Sequence, residues 1–230
     1  MRTLPLNVTL ANMVLRVLLC NWLIAAVAAG AIAQPRTTPV RIVVLGDSLV
    51  AGFQLKASDA FPAQLERALK AKGHSVEVIN AGVSGDTTAN GLERLRWAVP
   101  ERTDAVILEL GANDALRGFD PVRTKSNLDK IITTLKSDGS EVLLAGMIAP
   151  RNLGEGYSRA FDSLYPELAK KHGLILYPFF LDGVALNGGL NLGDGIHPNA
   201  KGVAEITKRI LPSVEELITR VRSRPAGSKG

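Results

Sequence analysis

Thiol chemistry is almost missing from this chain. Its one cysteine, Cys20, lies in an apolar segment near the N-terminus. The rest can form no disulfide, carries no thiolate nucleophile and offers no cysteine to a metal. Histidine is also scarce, with only His74, His172 and His197, so a role can be asked of each. Aromatic residues make up 5% of the chain, too few for an interleaved base-stacking platform. A dominant charge of one sign is lacking too: 27 Lys and Arg face 22 Asp and Glu, a net +5. The basic residues are scattered, apart from Lys170-Lys171 and Arg220-Val221-Arg222-Ser223-Arg224. Those two clusters read as solvated helix ends and a chain terminus, so no nucleic-acid partner is expected.

What is present begins with an export pattern. Arg2 and Arg16 are the only charges before Arg36, and residues 17–33 are almost wholly apolar. The segment ends in Ala31-Ile32-Ala33, small-x-small, followed by Gln34-Pro35. This reads as a secretory signal peptide over residues 1–33, cleaved after Ala33, with Met13 as an alternative start. An uncleaved anchor is the competing reading, because the run approaches the roughly 20 residues that span a bilayer. Bulky Leu19 before Cys20 argues against lipid attachment there. Cleavage would leave 25 basic and 22 acidic residues, net +3, in a periplasmic or secreted protein without stable membrane insertion.

The chain of 230 residues, 46% of them hydrophobic, can bury one full core. Five apolar runs rich in β-branched residues, at 40–45, 76–80, 105–110, 142–147 and 174–180, predict strands. Helical spacing separates them. Phe61, Leu65, Ala68, Leu69 and Lys72 follow a Ser58-Asp59 cap signal and stop at Gly73. Leu128, Ile131, Ile132 and Leu135 follow Asp120-Pro121, a cap and first helical residue. Phe161, Leu164, Tyr165 and Leu168 precede Gly173, and Val203, Ile206 and Ile210 begin a last helix that Pro212 is expected to interrupt or kink. Alternation of this kind implies an α/β domain over residues 34–222 with a parallel sheet covered on both faces. Residues 223–230 read as a disordered tail.

Ligand-binding loops of such sheets gather beyond the carboxyl ends of the strands. Four polar loops obey that rule: Gly46-Asp47-Ser48-Leu49, the loop from Asn80 to Asp86, Gly111-Ala112-Asn113-Asp114, and Gly193-Asp194-Gly195-Ile196-His197-Pro198. A serine hydroxyl at a strand end becomes a nucleophile when a histidine takes its proton and a carboxylate orients that histidine. His74 lies before the second strand, on the opposite edge, and a helix C-terminus accounts for His172. His197 remains, with Asp194 three residues before it and Pro198 starting the last helix. The backbone N–H groups of Ser48 and Gly85 and the amide of Asn113 are candidate donors to a developing oxyanion. Each loop taken singly is also an ordinary turn.

Together these blocks closely resemble the SGNH (GDSL) hydrolase family, which is defined by Ser, Gly, Asn and His in four separate blocks. Ser48, Gly85 within Ser84-Gly85-Asp86-Thr87-Thr88, Asn113, and Asp194 with His197 occupy those blocks in order. The run from Glu109 to Gly118 is most similar to the exported bacterial branch with thioesterase, arylesterase and lysophospholipase activities. The resemblance implies a three-layer α/β/α, flavodoxin-like fold with a five-stranded parallel sheet. It implies loops at 115–120 and 148–157 beside the acyl pocket, with Leu116, Phe119, Pro150, Leu153 and Tyr157 as substrate-binding residues. Small acyl esters or thioesters are the implied substrates, with no cofactor and no metal; the oligomeric state is left open.

Three other readings compete. An esterase acting on carbohydrate or peptidoglycan O-acetyl groups would use the same residues. A nucleotide- or phosphate-binding flavodoxin-like module would need a phosphate loop, yet no Gly-x-Gly-x-x-Gly or Lys-Ser/Thr P-loop follows the first strand. A metal hydrolase would draw on Asp47, Asp86, Asp114 and His197, which sit one per loop rather than in paired ligand spacing. These three aspartates read instead as ties that accept backbone hydrogen bonds. A histidine base predicts ester turnover that falls below about pH 6. A pH–rate profile flat from about pH 5 to 8 would contradict it.

Overall fold

The computed structural model describes residues 38–224; the expected signal peptide, its cleavage site and residues 225–230 lie outside them. The five apolar runs form strands β1 (Val40–Gly46), β2 (Val76–Gly82), β3 (Ala105–Glu109), β4 (Glu141–Ala145) and β5 (Ile175–Tyr177). They pair in parallel in the order β2-β1-β3-β4-β5. β1 and β3 are buried along almost their whole length, which is why their sequences are continuously apolar rather than alternating. The order reverses between β1 and β3, the point where an open α/β sheet leaves a crevice at its carboxyl edge.

Helices cover both faces. On one lie α2 (Phe61–Ala71) and the long α8 (Ala200–Arg222), which pack on each other and on the sheet. On the other lie α3 (Thr88–Glu93), α6 (Pro121–Ser137) and α7 (Glu155–His172). Most of the periodic residues read from the sequence face inward: Phe61, Leu65 and Leu69; Leu128, Ile131, Ile132 and Leu135; Phe161, Leu164, Tyr165 and Leu168; Val203, Ile206 and Ile210 are all buried, whereas Ala68 is half-buried and Lys72, which caps the end of α2, is exposed. Short helices α1 (Ser48–Ala51), α4 (Leu95–Ala98) and α5 (Ala112–Leu116) follow strand ends or link longer elements. The fold is the three-layer, flavodoxin-like α/β arrangement expected.

Several local expectations are corrected. Ser58 and Asp59 do not cap α2; they belong to a 3-10 turn, Ala57–Asp59, and the helix starts after Ala60 without a side-chain cap. Pro62 in the first turn explains the tolerance, since it has no N–H to satisfy. Asp120, by contrast, does cap α6, accepting from Val122 N–H, with Pro121 first in the helix. Pro212 does not stop α8, which continues to Arg222. The proline faces solvent while Ile210 and Val214 on either side are buried, so core contacts outweigh one lost backbone bond. Asn199, not Pro198, opens that helix, its side chain accepting from Lys201 and Gly202 N–H. β5 stops at Tyr177 because Pro178 cannot donate to the ladder. Of the residues assigned to the tail, Ser223 caps α8 and Arg224 pairs with Glu141 at 2.5 Å.

Ile107 sits fully buried on the central strand β3, paired with Val44 on one side and Leu143 on the other. Ile107→Ala should lower the unfolding free energy by about 2–5 kcal/mol, read as a lower denaturant midpoint at unchanged m-value.

Candidate active site

Four loops beyond the carboxyl ends of β1, β2, β3 and β5 build the site. The first is the tightest. A Cβ on Gly46 would lie 2.4 Å from Val50 Cγ2 and 2.5 Å from Glu109 Oε2, so only glycine fits beneath the turn. Asp47 caps α1, its Oδ1 accepting the Leu49 N–H at 3.0 Å. Ser48 is thereby held as the first residue of α1, at the edge of the sheet.

The last loop is long and is pinned by its asparagines. Asn191 donates to the carbonyls of Val184 and Asn187, and Asn199 donates to those of Gly189 and Asn191. Asn191 and Pro198 also form an antiparallel bridge. This frame carries a tight turn with Gly195 at φ 71°, in which Asp194 Oδ1 accepts the N–H groups of Ile196 and His197. Asp194 Oδ2 then lies 2.7 Å from His197 Nδ1, and His197 Nε2 lies 2.9 Å from Ser48 Oγ. The three residues therefore form one continuous relay. The backbone N–H groups of His197 and Ile196, and then the imidazole, hold the Asp194 carboxyl down at about 2. It stays ionised near neutral pH, which favours the Nδ1–H tautomer and leaves Nε2 to accept from the serine. Phe53 lies against the imidazole with ring centroids 4.4 Å apart; the sequence reading did not single it out.

Candidate oxyanion donors sit on the same edge. Among the described residues, neither Ser48 N–H nor Gly85 N–H meets an acceptor. Gly85 has φ 87°, a conformation that a side chain would strain, and its carbonyl accepts from the Arg117 guanidinium at 3.0 Å. Asn113 is oriented but engaged: its Nδ2 donates to Asp47 Oδ2 and to the Asp86 carbonyl, each at 3.0 Å. Donation to a substrate oxygen would require sharing one of these hydrogens.

The remaining aspartates are engaged by separate partners. Asp114 accepts from Thr88 N–H and from the hydroxyls of Thr88 and Thr124. Asp86 departs from the expected backbone tie, pairing with Arg94 instead. Arg94 also donates to the carbonyls of Gly46 and Ala81, joining the ends of β1 and β2. No cluster of three metal-ligating side chains occurs among the described residues.

Glu109, the last residue of β3, is the one charged residue of the apolar run at 105–110 and was assigned no role from the sequence. It is fully buried, and its Oε2 accepts the Asp47 N–H at 3.2 Å. Burial, and then the Asp47 charge, push its carboxyl well above the usual range. Burial likewise raises Asp47 to about 6, against the lowering effect of its hydrogen bonds from Leu49 and Asn113.

The expected substrate-binding residues divide. Leu116 and Phe119 are exposed, Pro150, Leu153 and Tyr157 half-buried. Tyr157 Oη donates to the Phe119 carbonyl at 2.8 Å, joining the two flanking loops, and its ring stacks on Phe161. Val83, Ile148 and Ile196, on loops of the same edge, are exposed too. An open cleft of about 530 Å³ lies aside on α7, lined by Arg151, Glu155 and Arg159 among others. Its charges pair internally, Arg151 with Asp162 and Arg159 with Glu155.

Residues 44–204 match the GDSL-like Lipase/Acylhydrolase family. The chain is 44% identical over 159 residues to an arylesterase of Vibrio mimicus, covering 69% of this chain and 80% of that protein. It is 42% identical over 178 residues to thioesterase 1/protease 1/lysophospholipase L1 of Escherichia coli K12, covering 77% and 84%. Among solved structures, AlinE4, an SGNH-hydrolase family esterase, matches with a TM-score of 0.67 at 41% identity, over 84% of this chain and 100% of that one. EstA of Pseudoalteromonas sp., a psychrotrophic esterase in a structure inhibited by monoethylphosphonate, matches with a TM-score of 0.74 at 28% identity, over 78% and 99%. Sequence match and fold agree: the chain belongs to the GDSL-like lipase/acylhydrolase family, the SGNH hydrolases.

Proposed function

We propose that this protein hydrolyses carboxylic esters and thioesters through an acyl-enzyme on Ser48. The observation that carries the reading is the uninterrupted hydrogen-bond relay from Ser48 through His197 to Asp194. Ser48 Oγ attacks the acyl carbon while His197 Nε2 takes its proton. The carbonyl oxygen becomes an oxyanion that Ser48 N–H, Gly85 N–H and the Asn113 amide stabilise. His197 returns the proton to the departing alcohol or thiol. Water, deprotonated by the same nitrogen, then attacks the acyl-Ser48 ester; the acid leaves and the serine regains its proton. Asp194 keeps the imidazole oriented and balances its transient charge. No metal enters any step.

The relatives' names point to aryl esters, acyl thioesters and lysophospholipids as substrate classes. The exposed apolar side chains Val83, Leu116, Phe119, Ile148 and Ile196 on the edge that carries Ser48 favour an acyl chain over a sugar acetate. Leu116, Phe119, Pro150, Leu153 and Tyr157 are the residues proposed to contact it. Among the described residues no helix is long and apolar enough to cross a membrane. Export of the chain with cleavage after Ala33, to the periplasm or beyond, is the localisation proposed from its N-terminal sequence.

A fluorophosphonate probe should label the wild-type protein and not Ser48→Ala, which should keep its thermal midpoint and lose ester turnover; wild-type turnover in that variant would sink the assignment. Asn113→Ala should lower kcat by roughly 100- to 1,000-fold, the typical loss of one oxyanion donor. A panel of p-nitrophenyl esters of increasing chain length beside acetylated glycans should favour chains longer than acetyl. Faster turnover of the glycans would instead select the O-acetyl esterase reading.

A further inference from the structure

Glu109 takes no part in the reaction above, yet it lies directly beneath the nucleophile turn. It is fully buried, and no ion pair reaches it among the described residues. Arg94, the cation at this end of β1, is committed to Asp86 and to the Gly46 and Ala81 carbonyls. One carboxyl oxygen of Glu109 accepts the Asp47 N–H at 3.2 Å; the other is buried and, counted as an acceptor, has no partner. A buried carboxylate left half-solvated in this way is costly, whereas a carboxylic acid turns the orphan oxygen into a donor. An acceptor is at hand in the buried Asp47 carboxylate, the charge that, after burial, raises the Glu109 carboxyl.

We infer that Glu109 is a neutral carboxylic acid that braces the nucleophile turn, accepting the Asp47 N–H and donating its own proton to the Asp47 carboxylate. One proton then serves two carboxyl groups. Asp47 remains an acceptor for Leu49 N–H and for Asn113 Nδ2. Glu109 is thus a positioning residue, acting through Asp47 on the oxyanion donor and on the start of α1. The groups around the pair are consistent with a retained proton. Tyr165 from α7 and Asp114 from α5 are neutral or acidic, as are the more distant Asp86 and Asp162; His197 is the cation-forming group facing Asp47. Burial raises both carboxyls.

The inference rests on the esterase reading for its kinetic consequence but not for its protonation state, so two experiments separate them. The infrared difference spectrum between wild type and Glu109→Gln at neutral pH should contain a protonated-carboxyl C=O band that belongs to Glu109. Its absence would overturn the inference whatever the enzyme hydrolyses. In steady-state kinetics, Glu109→Gln can reproduce both hydrogen bonds and should keep kcat within about threefold of wild type, whereas Glu109→Met, similar in size but unable to form either bond, should lose about tenfold or more in kcat with KM little changed. In an Asn113→Ala background the Met substitution should cost less than about threefold, because the two act on the same donor. A Gln variant as slow as the Met variant, a Met variant as fast as wild type, or losses that multiply in the double variant would each overturn the brace. Lack of ester turnover in the wild type would instead overturn the esterase reading.

Discussion

The hydrogen bond between the Asp47 carboxylate and the Asn113 amide ties the site together. Asp47 stands at the end of β1 and Asn113 just past the end of β3, the strands on either side of the reversal in strand order. The same amide reaches the Asp86 carbonyl beyond β2, and Arg94 holds Asp86 to the ends of β1 and β2. Three loops that are far apart in sequence are therefore locked to a common edge. The fourth, carrying His197, depends on its own asparagine frame and meets the others through Ser48. A rigid sheet beneath and short hydrogen bonds above leave the serine, the histidine and the N–H donors little freedom, which is the preorganisation that acyl transfer needs.

Such an edge is electrostatically costly. Glu109 and Asp47 are two fully buried acids, and carboxyls in that setting resist ionisation. Three of their four oxygens accept hydrogen bonds that an apolar side chain could not, from Leu49, Asn113 and Asp47. Asp194 shows the opposite regime. Near solvent and fed by two backbone N–H groups, it stays ionised far into acid. Carboxyls in one site thus sit at opposite ends of the range, set by burial against donated hydrogen bonds. Phe53, packed on the imidazole, shields the histidine from bulk water on one side.

Much of this was legible before any coordinates. The strands were visible because a sheet covered on both faces demands continuous apolar runs, and the helices because one buried stripe repeats with helical spacing. His197 could be separated from His74 and His172 by strand-end logic, and those two indeed lie beside acids elsewhere, His74 with Glu215 and His172 with Asp129. The misreadings share a cause: local signals were overruled by packing. Ser58-Asp59 has the chemistry of a cap but falls in a separate turn. Pro212 breaks helices in isolation, yet the apolar residues around it hold α8 together. Glu109 was noted only as the start of a family-like block, although an acid in an otherwise apolar strand is itself a signal.

The amino-acid sequence by itself determined the class of the fold, the order of its elements and the residue types available for chemistry, because periodicity and strand-end placement are local properties of the chain. It could not reveal which groups compete for a proton or a hydrogen bond. That Asn113 is already engaged, that Asp86 answers to Arg94, that Phe53 covers the imidazole and that Glu109 lies under the serine turn were decided only by the tertiary structure. Each depends on atoms from separate strands meeting within about 3–4.5 Å, the reach of hydrogen bonds and ring contacts, and no spacing along the chain encodes that distance.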